Sequence, residues 1–197
     1  MEKKIIRKII LNNRKGITKN SWKMKSYLIN KKIIQTVNFG NKKIAIYFPI
    51  NNELFLHDLF YLTQNKIFLP KIQNNSMQFY EYLPINRINS SEFKNNPKRY
   101  NLIFENKTFS PKIKKNPINP EIIFIPLVAF NANCYRIGYG GGFYDKYLKN
   151  KSILKIGVAF EMQKIDFTAE HHDVQLDYIF TESKIYRKHS NGQFALK

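Results

Sequence analysis

The sequence predicts a three-layer α/β/α domain with a mostly parallel, twisted, Rossmann-like central sheet, and three observations carry that expectation. Runs such as EIIFIPLVAF and KIGVAF are apolar throughout, the character of strands buried on both faces. They alternate with segments of helical period, which argues for helices covering a parallel sheet. Four of the chain's eight glycines stand at positions 138 and 140–142, between an apolar strand and a helical segment.

Taken in order, Ile5, Ile6, Ile9 and Ile10 recur at helical spacing with Lys3, Lys4 and Arg7 on or near the opposite side, so residues 2–13 read as an amphipathic helix. Gly16 ends it, Thr18 or Ser21 caps the next, and a second helix runs to Val37. KIAIYFP, over 43–49, reads as a strand, LFLHDLFYLTQ as a helix, and KIFLP and MQFYEYL as further strands. Pro84, Pro97, Pro111, Pro117 and Pro120 then interrupt a polar segment, which predicts a long surface excursion over 84–120. EIIFIPLVAF restores order as one strand of about six residues. A polar turn, the glycine stretch, a helix over 142–150, the strand KIGVAF and a last strand DYIFT complete the series. No repeat or internal boundary divides residues 1–197, so a single domain is expected, with an exposed tail over 185–197.

Composition limits the partners. One cysteine, Cys134, excludes an internal disulfide framework and suits a reducing interior. No run approaches the ~18 apolar residues of a membrane span, and no apolar signal core follows the basic start. A cytoplasmic monomer with no membrane partner is expected. The net charge of +19 points toward nucleic acid, but lysine is spread over the whole length among asparagine and isoleucine, and most aromatics fall inside apolar segments. That is a lysine-coated surface, so nucleic acid is not the expected partner; a small polyanion would profit from the same field.

The stretch RIGYGGGFYDKYL, Arg136 to Leu148, carries the chemistry. Consecutive glycines before a helix let backbone N–H groups converge on an anion. Arg136 can supply a planar fork for a phosphate, and Asp145 a carboxylate for a divalent ion. The motif lacks the lysine and hydroxyl residue of a P-loop and the acidic residue of a dinucleotide site. On spacing alone, a glycine turn that permits tight packing of strand on helix remains open.

PLVAFNANCYRIGYGGGFYDKYL resembles the signature of the 5-formyltetrahydrofolate cyclo-ligase family, also called methenyltetrahydrofolate synthetases. That signature is a strand ending in proline and an R-L-G-x-G-x-G-Y-Y-D-like core, with Ile137 and Phe143 as mild substitutions here. Lys3 and Arg7 match a family pair near the start, Glu53 an acidic residue after the first strand, and Asp173 and Asp177 a D-x-x-x-D pattern before a strand. The departures are Asn131 where an aspartate is usual, Cys134 near a usual glycine, and IFEN, 103–106, without the family's proline.

The resemblance implies an ATP- and Mg2+-dependent closure of 5-formyltetrahydrofolate to 5,10-methenyltetrahydrofolate, and it implies roles for residues. Lys3 and Arg7 would contact ATP phosphates, Arg7 also lying near the folate; a spacing of four permits both on one helix face. Arg136, Ile137, Gly138, Tyr139, Gly140, Gly141, Gly142, Phe143 and Tyr144 would form the nucleotide loop, with Tyr139 to Phe143 also bordering the formyl group. Arg136, Tyr144 and Asp145 are the catalytic candidates, and Asp145 and Asp173 the magnesium carboxylates. Glu53 and Phe48 would meet the folate, by hydrogen bonding to pterin N–H groups and by stacking. Asp177 reads as structural, starting the last strand. His171 and His172 read as bystanders whose rings point apart, and Cys134 as another bystander. The rival expectation is a non-catalytic or nucleic-acid-binding relative on the same scaffold.

Overall fold

The computed structural model describes residues 1–56, 58–59, 66–81 and 116–188. Most of the expected 84–120 excursion, the IFEN segment and the chain beyond 188 lie outside these residues, as does all of the expected 54–64 helix after residue 59.

Helix α1 (Lys3–Lys15) buries Ile6, Ile10 and Arg14, one residue per turn on one stripe, while Ile5 and Ile9 stay exposed. Helix α2 (Lys19–Thr36) starts at Thr18, whose side chain accepts the Ser21 amide at 3.2 Å. Strands β1 (Ile44–Ala45) and β2 (Ile67–Gln73) follow, then β3 (Ser76–Glu81). Asn74 and Asn75 turn β2 into β3 with φ of 48° and 59°, the left-handed pair that suits the twist of a two-residue hairpin. Strands β4 (Ile122–Pro126), β5 (Ala129–Phe130) and β6 (Arg136–Ile137) precede helix α3 (Phe143–Leu148). Strand β7 (Leu154–Val158), a 3-10 turn at Glu161–Gln163, β8 (Tyr178–Phe180) and β9 (Ile185–Arg187) end the described chain.

Seven strands form one sheet in the order β3-β2-β1-β4-β7-β8-β9. The inner five are parallel, and the edge strands β3 and β9 run antiparallel to their neighbours. The α/β expectation holds: Ile122 and Phe124 of β4 pack with Ile29 and Ile33 of α2 and with Val37 just after it, and Ile123 and Ile125 join Leu148 of α3 on the other face. Alternate side chains thus bury both faces, which is why these strands read as unbroken apolar runs. Gly157 of β7 is fitted to this packing, since a Cβ there would lie 2.7 Å from Leu176.

Three expectations fail locally. EIIFIPLVAF is not one strand: it leaves the sheet after Pro126, which has no N–H to extend a ladder, and Ala129–Phe130 instead pairs with β6 in a separate two-stranded ribbon. The helix expected over 142–150 is shorter, ending at Leu148 because Lys149 swings to ψ 127° and Asn150 then turns left-handed at φ 58°. The tail expected from residue 185 begins with a strand: Thr181 and Lys184 close a turn, and Tyr186 packs edge-to-face on Phe130 at 5.1 Å.

Sheet order positions the site. From β1 the chain steps to β2 on one side, and β4 lies on the other, so the winding reverses between β1 and β4. Open α/β sheets bind ligands at such a reversal, outside the carboxyl ends of the strands. Here those ends deliver Tyr47 to Ile50 after β1, and Pro126 of β4, to a common cavity.

Candidate active site

The cavity measures about 1360 Å³. All fifteen residues nominated from the sequence line it: Lys3, Arg7, Phe48, Glu53, the whole run Arg136 to Asp145, and Asp173. Four separate stretches of chain therefore converge on one hollow.

The glycine loop is bare for two identifiable reasons. Gly140 sits at φ 111°, which side-chain-bearing residues rarely adopt, and a Cβ on Gly141 would fall 2.6 Å from the Phe143 ring. Helix α1 docks onto this loop through cations. Positions 3, 7 and 14 lie within a narrow arc of a 3.6-residue helix. Arg7 Nε donates to the Gly138 carbonyl at 2.8 Å, and Arg14 donates to the Tyr139 hydroxyl. Lys3 reaches across to Asp173, with Nζ 2.9 and 2.7 Å from its two oxygens, and to Glu170 at 3.0 Å. Burial pulls Lys3 down, but hydrogen bonds and charge from Asp173 and Glu170 outweigh it and hold its pKa above the usual lysine range.

Both expected magnesium carboxylates thus arrive with a cation. Asp173 is opposed by burial, yet Lys3 and the Glu170 amide hold its pKa below the usual value. Asp145 Oδ1 accepts from Arg136 at 3.0 Å and from the Val174 amide at 3.1 Å, while Arg136 donates to the Val174 carbonyl at 3.0 Å. Arg136 is buried, which lowers its pKa against the pull of Asp145. Its fork is therefore occupied inside the protein, not held open as the sequence suggested.

Across the cavity wall, Glu53 is 4% exposed. Its Oε2 accepts the Ile50 amide at 2.9 Å, and Oε1 has no well-formed partner among the described residues. Burial pushes its pKa up, against the Ile50 amide, the Arg14 charge and the nearby Tyr139 hydroxyl. Phe48 is half-buried at the same wall. The Tyr144 hydroxyl is pushed well up, first by burial and then by Glu53, so it remains protonated.

The structure also accounts for the departures. Asn131 Oδ1 accepts the amides of Asn133 and Tyr135, as an aspartate could, and its Nδ2 adds a donation to Phe167 O at 3.1 Å. Cys134 takes φ 62°, a conformation suited to glycine, and its thiol is buried and pushed up to about 12, which leaves it unreactive. Asp177 is structural as expected, standing just before β8, which is not the last strand, and accepting the Lys155 amide at 2.8 Å.

Some contributors were missed. The rings of His171 and His172, which lie in a turn, do not point apart but meet edge-to-face at 5.2 Å, and His172 lines the cavity beside Glu170. Among the described residues, no cluster of three or more His, Cys, Asp or Glu could hold a metal by itself. Arg14 was missed as well, since an arginine in a basic helix reads as a solvated charge.

A mostly parallel open sheet with a cation-bordered cleft at its reversal point defines the class: an α/β enzyme of the open-sheet kind. Residues 1–182 match the 5-formyltetrahydrofolate cyclo-ligase family, and the chain belongs to that family. A 5-formyltetrahydrofolate cyclo-ligase of Mycoplasma pneumoniae is 34% identical over 192 residues, covering 92% of this chain and 99% of the relative. The solved structure of a 5,10-methenyltetrahydrofolate synthetase from Mycoplasma pneumoniae superposes with a TM-score of 0.71 at 29% identity, covering 92% of this chain and 99% of that one. An Aquifex aeolicus 5,10-methenyltetrahydrofolate synthetase gives 0.73 at 25% identity, over 98% and 96%. The activity of the family, cyclo-ligation of 5-formyltetrahydrofolate, is the activity of this enzyme. Among the described residues, no helix is long and apolar enough to cross a membrane.

Proposed function

We propose that residues 1–197 act as one cytoplasmic, monomeric domain that couples ATP hydrolysis to closure of 5-formyltetrahydrofolate, with ADP and phosphate as by-products. The observation that carries this reading is the convergence of all fifteen nominated residues on one cavity. An amide oxygen is a poor leaving group, so the chemistry needs it phosphorylated first. The formyl oxygen attacks the γ-phosphorus and ADP leaves; N-10 then attacks the activated carbon, loses its proton, and phosphate departs with the former formyl oxygen. Catalysis of such a transfer is mostly positioning and charge neutralisation.

Lys3, Arg7 and the amides of Gly138 to Gly142 hold the phosphates in this reading, and Tyr144, kept protonated, donates to an oxygen of the transferring group. Asp145 and Asp173 suit a hard divalent ion, which takes one or two carboxylates plus phosphate oxygens. The ammonium already resting on Asp173 marks that position as one that holds a cation. Bound magnesium would offset charge on the phosphates. Arg136 fixes Asp145, and Glu53 with Phe48 receives the pterin. The lysine-coated surface serves the anionic substrates, not nucleic acid.

The test follows absorbance of the methenyl product from 5-formyltetrahydrofolate. Product should form only with ATP and magnesium together; formation without ATP, or none with both, overturns the reading.

A further inference from the structure

Lys4, Lys8, Arg14 and Lys15 are the cations of α1 that the cyclo-ligase resemblance does not nominate, and of these only Arg14 is buried, at 1% exposed. It continues the stripe of Ile6 and Ile10, where an apolar residue would pack without penalty. Its guanidinium donates to the Tyr139 hydroxyl and, at 3.4 Å, to the Leu127 carbonyl, and its carbon lies 5.9 Å from the centre of the Tyr139 ring. Nε has no partner, and Arg14 makes no ion pair among the described residues. Burying a guanidinium without a carboxylate in contact is expensive, and a site of purely structural value would favour an aliphatic residue.

We infer that Arg14 is a positioning residue for the folate pocket, holding Tyr139 on the cavity rim and supplying the fixed positive charge that keeps Glu53 ionised toward its ligand. The groups facing Glu53 are Tyr47 from the loop after β1, Tyr139 from the glycine loop, Tyr144 from α3 and Arg14 from α1. Burial pushes all three tyrosines upward, so only Arg14 among them is charged at neutral pH. An ionised Glu53 presents Oε1 as an acceptor for ring N–H donors; a protonated one does not.

The inference rests on the proposed substrate site, and its test reads binding without turnover. Calorimetric titration of 5-formyltetrahydrofolate, without ATP, is run across pH on the parent and on Arg14→Met, Arg14→Lys and Tyr139→Phe. Arg14→Met should weaken binding about tenfold and move the acid-side loss of affinity to higher pH, because Glu53 loses its opposing charge. Arg14→Lys, which keeps the charge but not the fork, should restore the parent's pH profile. Tyr139→Phe should weaken binding without moving the profile, and combined with Arg14→Met it should add less than its single effect. An unmoved pH profile in folded Arg14→Met, or parent-like affinity in Tyr139→Phe, overturns the inference. If Arg14→Met does not fold, an Arg14→Lys profile displaced from the parent's also overturns it. A parent that binds the folate but forms no product with ATP and magnesium would sink the proposed function alone.

Discussion

The carboxylates beside the glycine loop and the carboxylate of the β1 loop are handled in opposite ways. Asp173 and Asp145 each meet a cation at 3.0 Å or closer and each accept a backbone amide. Glu53 is more deeply buried than either and accepts one amide; among the described residues it forms no ion pair and leaves Oε1 unmatched. At the loop, charge is neutralised before any ligand arrives, so an incoming cation must displace or share with what is there. At Glu53, in the proposed reading, the ligand completes the hydrogen bonding that the described residues leave open. The first arrangement stabilises the fold and asks work of the ligand; the second burdens the fold and rewards the ligand.

The sharpest way to break this comparison is Asp145→Asn. The amide oxygen can still accept from Val174 and Arg136, but the buried Arg136 loses its opposing charge, so the melting temperature should fall measurably while the protein stays folded. Turnover should fall about 10²–10³-fold, the scale of losing one preorganised electrostatic contact. Steady-state kinetics beside a thermal melt check it, and full activity would remove Asp145 from the reaction.

Glu53→Gln comes next and tests the other wall. It should raise KM for the folate about 10–100-fold, as for a hydrogen bond to a charged group, with the ATP requirement unchanged. Its stability effect has the unusual sign. Because burial raises the folded pKa above the ordinary 4.5, ionisation of Glu53 destabilises the fold as pH rises through that range. The variant should therefore melt higher than the parent at neutral pH; a lower melt would show that Glu53 contributes to the fold instead of burdening it.

The sequence showed these two walls unequally. The glycine loop was legible because four glycines in five positions have few structural readings, and the buried parallel strands because they are apolar on both faces. The split of EIIFIPLVAF was hidden: Leu127, Val128, Ala129 and Phe130 are as buried as the strand before them, so hydropathy does not report that the chain has left the sheet. Arg14 was hidden because its helix carries many lysines, and only packing distinguishes the one cation that points inward. The fixing of Asp145 by Arg136 was half legible. Their spacing suggested a shared ligand, whereas geometry shows them first bound to each other.

The smallest expected effect concerns the closed pair. Lys3→Met removes the ammonium from Asp173 but keeps the aliphatic stem, and should cost about 1 kcal/mol of stability at neutral pH for a partly buried charged hydrogen bond. The pH dependence identifies the source. Asp173 has a folded pKa below its ordinary 3.8, so its share is complete above that value and disappears as pH falls through the depressed one. Lys3 has a folded pKa above its ordinary 10.5, so its share persists below 10.5 and disappears as pH rises through the elevated one. The difference in denaturant-derived stability between parent and variant should therefore be flat between these limits and narrow beyond each. If Lys3 both pairs with Asp173 and receives phosphate, the variant should also need several-fold more ATP for half-maximal rate while needing less magnesium, because the metal no longer competes with an ammonium for Asp173. An unchanged magnesium requirement would mean that Asp173 holds Lys3 and nothing else.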